Sequence, residues 1–418
     1  MVITLRRLPV SLTPLATPRL RRLLAAQVPS DLADWLDFVA LSALVAFQWQ
    51  LGPGAVASLT LALALPYVVL APVVGVLVDR MDQRTLLIAS NILRSIATAA
   101  FVLAPNLLVL LVFVILKSSA DALFTPAKQA AIPLLTAPDQ LLSANSLSHM
   151  INQLTKIVGP ALGGVLIVFL ELQQIFLANA GLSLIAALIL LGLPNGLRSS
   201  HTNTARRKFS QEFIDGIRHI RNKPLLATAI LAMAFGFFLI FLYDGLIALL
   251  VKEIGFSSAL LGASVASAGA GGVVGSLLLG QFCEKRDPFQ LMIASGLAGG
   301  VLIALMGHVG RGDIMMPPLV FCVLLFATGV ASAGLFVPYR VVLQKETPPE
   351  LIGRVAAVGE GLSAAAMMTA PPIGAGLAEI AGVSAPYLVS GYATAIFALM
   401  LLCVRRRIDK RDELMAGD

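Results

Sequence analysis

"FTPAKQAAIPLLTAPDQLLSAN", residues 124–145, has a counterpart further along the chain, and that repeat decides the fold. "FTPAK" (Phe124 to Lys128) closes one apolar run, and "FVPYR" (Phe336 to Arg340) closes another 212 residues later. Downstream, "TAPDQLLSAN" (Thr136 to Asn145) matches "TPPELIGRVA" (Thr347 to Ala356) with a one-residue slip, and Pro160 returns to the original offset at Pro372. Two related halves follow one another in a single chain.

Composition says what the halves are made of. Apolar residues are 58% of the 418 and charged residues 13%, with a mean hydropathy of +0.88. A soluble domain carries about 25% charge, so this is a membrane protein in contact with the lipid bilayer. The apolar runs are near the ~20 residues that a spanning helix needs. The ten-residue alternation of a membrane β-barrel is absent. Turn and charge signals divide the runs into twelve expected helices, giving an all-α membrane fold. They cover roughly 22–49, 54–78, 85–104, 107–127, 141–169 and 172–193, then 224–249, 257–281, 289–309, 316–338, 355–378 and 384–404. The expected organisation is a six-helix bundle with a basic leader (1–194), a basic linker (195–223) containing "ARRKF" and "IRHIRNK", a second bundle (224–404) and a short tail (405–418).

Loop charge sets the orientation. Nearly all Lys and Arg fall on connections 2–3, 4–5, 6–7, 8–9 and 10–11 and on the termini; the opposite connections hold only Lys252 and Arg311. Both termini are therefore expected in the cytoplasm, with the chain in a bacterial inner membrane. The net charge of +7 belongs to these loops and implies no nucleic-acid partner. Three cysteines without metal-ligand spacing indicate neither a disulfide framework nor a metal site. No catalytic triad, metal cluster or nucleotide loop is visible, so neither an enzyme nor a cofactor is expected.

After the second run comes "GVLVDRMDQR" (Gly75 to Arg84). It resembles the signature between helices 2 and 3 of the major facilitator superfamily: Gly75, Asp79, Arg80 and Arg84 match, while Asp82 and Gln83 depart from the usual Gly and Arg. The resemblance implies a cytoplasmic gate, with Gly75 allowing close helix contact and the Asp-Arg pair latching the halves. "GPALGG" in helix 5 resembles the superfamily's antiporter-type glycine motif, with Gly159, Pro160, Gly163 and Gly164 allowing a kink and tight packing. The stretches "LRRLLAAQVPSDLADWLDFVALSAL", "FTPAKQAAIPLLTAPDQLLSANSL" and "TPPELIGR" resemble the bacterial exporters related to enterobactin export and macrolide efflux. The "PAK…AN" segment is also similar to the lysophospholipid transporter group. Those exporters usually carry Gly-Asp in helix 1 where this chain has Ala33-Asp34, so only Asp34 carries over; Asp31 and Asp37 are extra.

Ionisable groups inside spanning helices mark candidate function, because a charge at the bilayer centre costs about 3 kcal/mol or more. Asp31, Asp34 and Asp37 are spaced by three and share one face of helix 1. Counting ~1.5 Å per residue from Arg22 puts Asp34 near the midplane. The alternative for all three is a structural cap or a fixed ion pair. Asp244 in helix 7 aligns with Leu32 at the repeat offset, and Glu360 in helix 11 aligns with Ser148, making both further proton-coupling candidates. Asn145, His149, Asn152 and Lys156, spaced by 4, 3 and 4, form a polar stripe on helix 5 that either lines a cavity or bonds a neighbouring helix. Lys117 and Asp121 lie one turn apart on helix 4, as an intrahelical ion pair or as cavity groups. Arg94 in helix 3 either reaches the cytoplasmic surface or pairs with an acid.

Such a constellation fits a small amphiphilic or zwitterionic substrate and protons as the transported partners. The expected function is a monomeric secondary transporter, a proton-coupled exporter such as a siderophore or multidrug antiporter working by alternating access. A lysophospholipid flippase is the alternative. A receptor without net transport is disfavoured, because the tail is too short to be a signalling domain.

Overall fold

The structure is a computed structural model describing residues 15–137, 140–198, 217–283, 287–348 and 351–416. Of the expected linker 195–223, residues 199–216, with "ARRKF", lie outside the described residues. Each expected span meets helix. In chain order these are α1 (Pro18–Ala43), α2 (Pro53–Val69), α3 (Ala71–Arg80), α4 (Gln83–Ala100), α5 (Leu107–Leu135), α6 (Leu141–Phe169) and α7 (Leu172–Leu190). Then come α8 (Pro224–Tyr243), α9 (Ile247–Glu253), α10 (Ser258–Cys283), α11 (Pro288–Arg311), α12 (Pro318–Glu346), α13 (Ile352–Ala381) and α14 (Ser384–Ala416). Among the described residues nine helical spans are long and apolar enough to cross a bilayer, or ten with α2 and α3 counted as one. α1, which carries the three carboxylates, and α13, diluted by Gly and Pro, are not among them.

Two expected spans are broken. The second bends by 49° between α2 and α3, where Pro72 lacks the N–H that would continue the ladder. The seventh passes through a 3-10 turn at Asp244–Leu246 that joins α8 to α9. α1 itself runs into a single π-helical stretch, Leu44–Gln48.

The chain forms two compact units, residues 1–50 with 58–202, and 51–57 with 203–418. In the first, α1 packs on α6 and α7, and α4 packs on α5 and α7. An apolar cluster of this unit (Leu20, Leu23, Leu24, Leu87, Ile132 and Leu190 among others) gathers at the end where α1 and α4 begin and α5 and α7 finish. The sequence explains this floor: Leu recurs at helical spacing in "LRRLLAA" and "TLLIAS", and each run faces the tail of an antiparallel neighbour. Above it the same helices turn polar, and there the candidate site lies.

The second unit is held by close small-residue contacts. A Cβ on Gly271 would collide with the carbonyl of Phe326, and one on Gly275 would lie 2.7 Å from the carbonyl of Val330, so α10 and α12 meet backbone to backbone.

Candidate functional site: a charge ladder inside the first unit

α1 enters the unit with Gln27, Asp31, Asp34 and Asp37 on one face. α5, running antiparallel to it, presents Lys117, Asp121, Phe124 and Lys128, spaced by 4, 3 and 4. α4 adds Arg94. Asp31, Asp37, Arg94, Lys117, Asp121 and Lys128 are buried, while the side chain of Asp34 remains 37% exposed.

Arg94, fully buried, is the hub. One of its Nη atoms donates to Asp34 Oδ1 at 2.5 Å and to the Ser30 carbonyl at 2.9 Å, and the other donates to Ser30 Oγ at 2.6 Å. Its Nε is paired with Asp121 Oδ1. Of the two readings of Arg94, pairing with an acid and reaching the cytoplasmic surface, the structure has it fully buried and paired with Asp34 and Asp121. Lys117 completes a cross-brace. Its Nζ is 2.7 Å from Asp121, 2.8 Å from Asp34 and 3.2 Å from Asp37. The intrahelical Lys117–Asp121 pair is therefore present and extends across to α1. Two cations shared among three carboxylates tie α1, α4 and α5 together.

The two outer acids have neutral partners as well. Asp37 accepts from Asn179 Nδ2 at 2.5 Å and from Thr98 Oγ1 at 3.4 Å. Asp31 Oδ2 accepts from Gln27 Nε2 at 2.8 Å and from Asn152 Nδ2 at 3.3 Å. Gln27 is itself fixed by Ser148, whose hydroxyl donates to Gln27 Oε1 and whose carbonyl accepts from Gln27 Nε2, both at 2.8 Å.

The helix 5 stripe lies on the exposed side of α6 within this unit. Asn152 reaches back to Asp31, and the Lys156 ammonium sits 5.4 Å over the Trp35 ring. Asn145 bonds its own helix, donating to the Leu141 carbonyl at 3.0 Å. His149 is exposed. The glycine motif brings this face close to α1: a Cβ on Gly159 would overlap Trp35, and one on Gly163 would stand 3.2 Å from Val39. Pro160 and Gly164 are buried beside them.

Of the gate residues, Gly75 makes no close contact within 4 Å of a built Cβ, so the expected tight helix approach does not occur there among the described residues. Asp79 and Arg80 are exposed at the end of α3. Arg84 donates to the Leu191 carbonyl at 2.8 Å and to Asn195. The two departures from the signature have structural work of their own. Asp82 caps α4, accepting from Arg84 N at 2.8 Å, and also accepts from Gly196 N at 2.5 Å. The backbone N–H of Gln83 donates to the Leu197 carbonyl at 2.9 Å. Together they pin the α3–α4 turn to the chain that follows α7. Asp244 and Glu360 belong to the second unit and are exposed there.

Sequence reading missed Gln27, Asn179, Ser148, Thr98 and Lys128. The signal for Lys128 was available: it continues the Lys117–Asp121 face by seven residues. The amides and hydroxyls carry no periodic signature of their own and become visible only when α6 and α7 are seen to cover α1.

The Major Facilitator Superfamily family model matches residues 23–359. An uncharacterised MFS-type transporter of Bacillus subtilis (strain 168), YfiS, is 31% identical over 95% of each chain. Macrolide efflux protein A of Streptococcus pyogenes is 26% identical, covering 81% of this chain and 84% of that one. Enterobactin exporter EntS of Citrobacter koseri is 27% identical over 78% of each. Among solved structures, the nucleoside transporter NupG superposes with a TM-score of 0.74 at 12% identity, covering 92% of this chain and 98% of that one. A helical membrane chain with a buried charge ladder in its first unit, matched by this family model over most of its length, belongs to the Major Facilitator Superfamily of transporters.

Proposed function

We propose that the protein is a proton-coupled exporter of an amphiphilic small molecule, a macrolide-type drug or a siderophore, working as a monomer by alternating access in a bacterial inner membrane with both termini in the cytoplasm. The observation that carries this reading is the ladder itself: seven ionisable groups clustered between α1 and the spanning helices α4 and α5, where charges are kept only when they do work or are paired. Efflux-type relatives support the direction of transport. Carboxylates on α1 carry the proton, and the exposed α6 face with His149, Asn152 and Lys156 contacts substrate, the Trp35 ring supplying its apolar surface. Asp244 and Glu360 are the second unit's candidate acids. Asp79, Arg80 and Arg84 work the cytoplasmic gate.

The test is reconstitution into liposomes with an imposed pH gradient and a panel of a macrolide, a catecholate siderophore and a lysophospholipid. Gradient-driven movement of the macrolide or the siderophore, collapsing with a protonophore, is the expected result. Movement of the lysophospholipid alone, indifferent to the gradient, would replace this reading with the flippase.

A further inference from the structure

The acids and bases of the ladder do not balance. Among the described residues of the first unit, the network contains four carboxyl groups, buried Asp31, Asp37 and Asp121 with part-exposed Asp34, and three buried bases, Arg94, Lys117 and Lys128. Fully ionised, it is one negative charge in excess. A buried charge without a counter-ion is costly, and such a group neutralises instead. The geometry says where the imbalance sits. Asp34 and Asp121 each hold both Arg94 and Lys117, and Asp37 holds Lys117. Asp31 alone of the four has no base within 4 Å among the described residues: its two partners are the side-chain amides of Gln27 and Asn152, both on Oδ2.

Lys128 is the complementary anomaly. It is buried, yet among the described residues it makes no hydrogen bond and no ion pair, and the Phe124 ring lies 5.4 Å from its ammonium. Arg94 lies over the same ring at 5.7 Å. α5 runs antiparallel to α1 with Lys117 against Asp34 and Asp37, so Lys128, further along the same face of α5, lies toward the Asp31 end of α1 and forms no ion pair with it among the described residues. The other neighbours of Asp31 are accounted for. α1 contributes Asp34, which Arg94 and Lys117 already compensate. α6 contributes Asn152 and Ser148 beside the carboxyl, with exposed His149 and Lys156 flanking them. α7 contributes neutral Asn179, which donates to Asp37 and to the Ala33 carbonyl.

We infer that Asp31 is the carboxyl group that takes up and releases the transported proton, and that Lys128 is the counter-charge it engages when the proton leaves. This rests on the proton-coupled reading above and deepens it. With both amides on Oδ2, the proton is carried on Oδ1. On release the Oδ1–H bond breaks and the proton passes to water. The carboxylate then has an ammonium within reach, and the ladder moves from neutral to one net negative charge. Reprotonation reverses each step. Asp34, which has the family precedent, acts in this scheme as a fixed strut.

Infrared difference titration of the purified protein in lipid reads this without substrate. The wild type is expected to show one buried carboxylic-acid band that disappears as pH rises. Asp31→Asn should abolish the band, Asp31→Glu should restore a shifted one, and Asp244→Asn and Glu360→Gln should leave it in place. Lys128→Met should move its midpoint to higher pH by at least about one unit, since the ionised form loses its partner. A band that persists in Asp31→Asn, or a midpoint unmoved by Lys128→Met, overturns the assignment. Flux separates this from the broader reading. No gradient-driven flux in wild type with the band behaving as described sinks the exporter and leaves the proton site. Gradient-driven flux that survives in Asp31→Asn sinks the site and leaves the exporter.

Discussion

Arg94 shows what one residue decides here. Fully buried and tied to Asp34, Asp121 and Ser30, it is stable only while those partners stand. Breaking a buried pair by removing one side costs about 3–5 kcal/mol, because a charge is left uncompensated. Asp121→Asn is therefore expected to lower the melting temperature in detergent by several degrees, and Arg94→Met combined with Asp121→Leu to recover much of that loss. Equal destabilisation by the single and the double change would refute the hub. The sequence showed the acids and bases of α1 and α5 by spacing, down to the Lys117–Asp121 pair. It could not show that Arg94 turns inward, since both of its readings satisfy the same sequence and only the packing of α4 on α5 chooses between them.

At the scale of elements, helix existence was legible because long apolar runs leave few alternatives, while breaks within a run were not. The 49° bend between α2 and α3 falls beside Pro72, in an apolar stretch that also holds Pro66 inside α2, whereas Pro126, Pro133 and Pro160 pass inside helices without such a break. Glycine motifs were legible as motifs, but their contacts divide. Gly163 abuts Val39, so Gly163→Leu should overpack the α1–α6 seam and cost roughly 1–3 kcal/mol, read as a lowered melting point. Gly75→Ala meets open space and should change stability by no more than about 0.5 kcal/mol. Asp82, a departure from the expected signature, caps α4; Asp82→Ala should cost about 1 kcal/mol in the same assay. A neutral Asp82→Ala would mean that the contact with Gly196 and the cap carry no weight.

At the scale of the molecule, the internal repeat anticipated a two-part chain, and the structure divides into two compact units, with residues 51–57 grouped in the second. The repeat is a statement about ancestry and cannot say which half concentrates the buried charge; that asymmetry comes from α1, α4 and α5 alone. Orientation rests on loop charge, and it makes a prediction for the whole chain. With the three native cysteines replaced, Ser200→Cys should react with a membrane-impermeant maleimide only in inside-out vesicles. Labelling in intact cells would reverse the topology. The ladder also constrains how the protein is made. Three aspartates near the centre of a helix each oppose insertion by about 2.5–3.5 kcal/mol, and their cations, Arg94 and Lys117, are synthesised 60 and 83 residues after Asp34. α1 therefore cannot settle in lipid as an independent unit. Its insertion is expected to be completed only with α4 and α5, so α1 enters the bilayer together with them and not ahead of them.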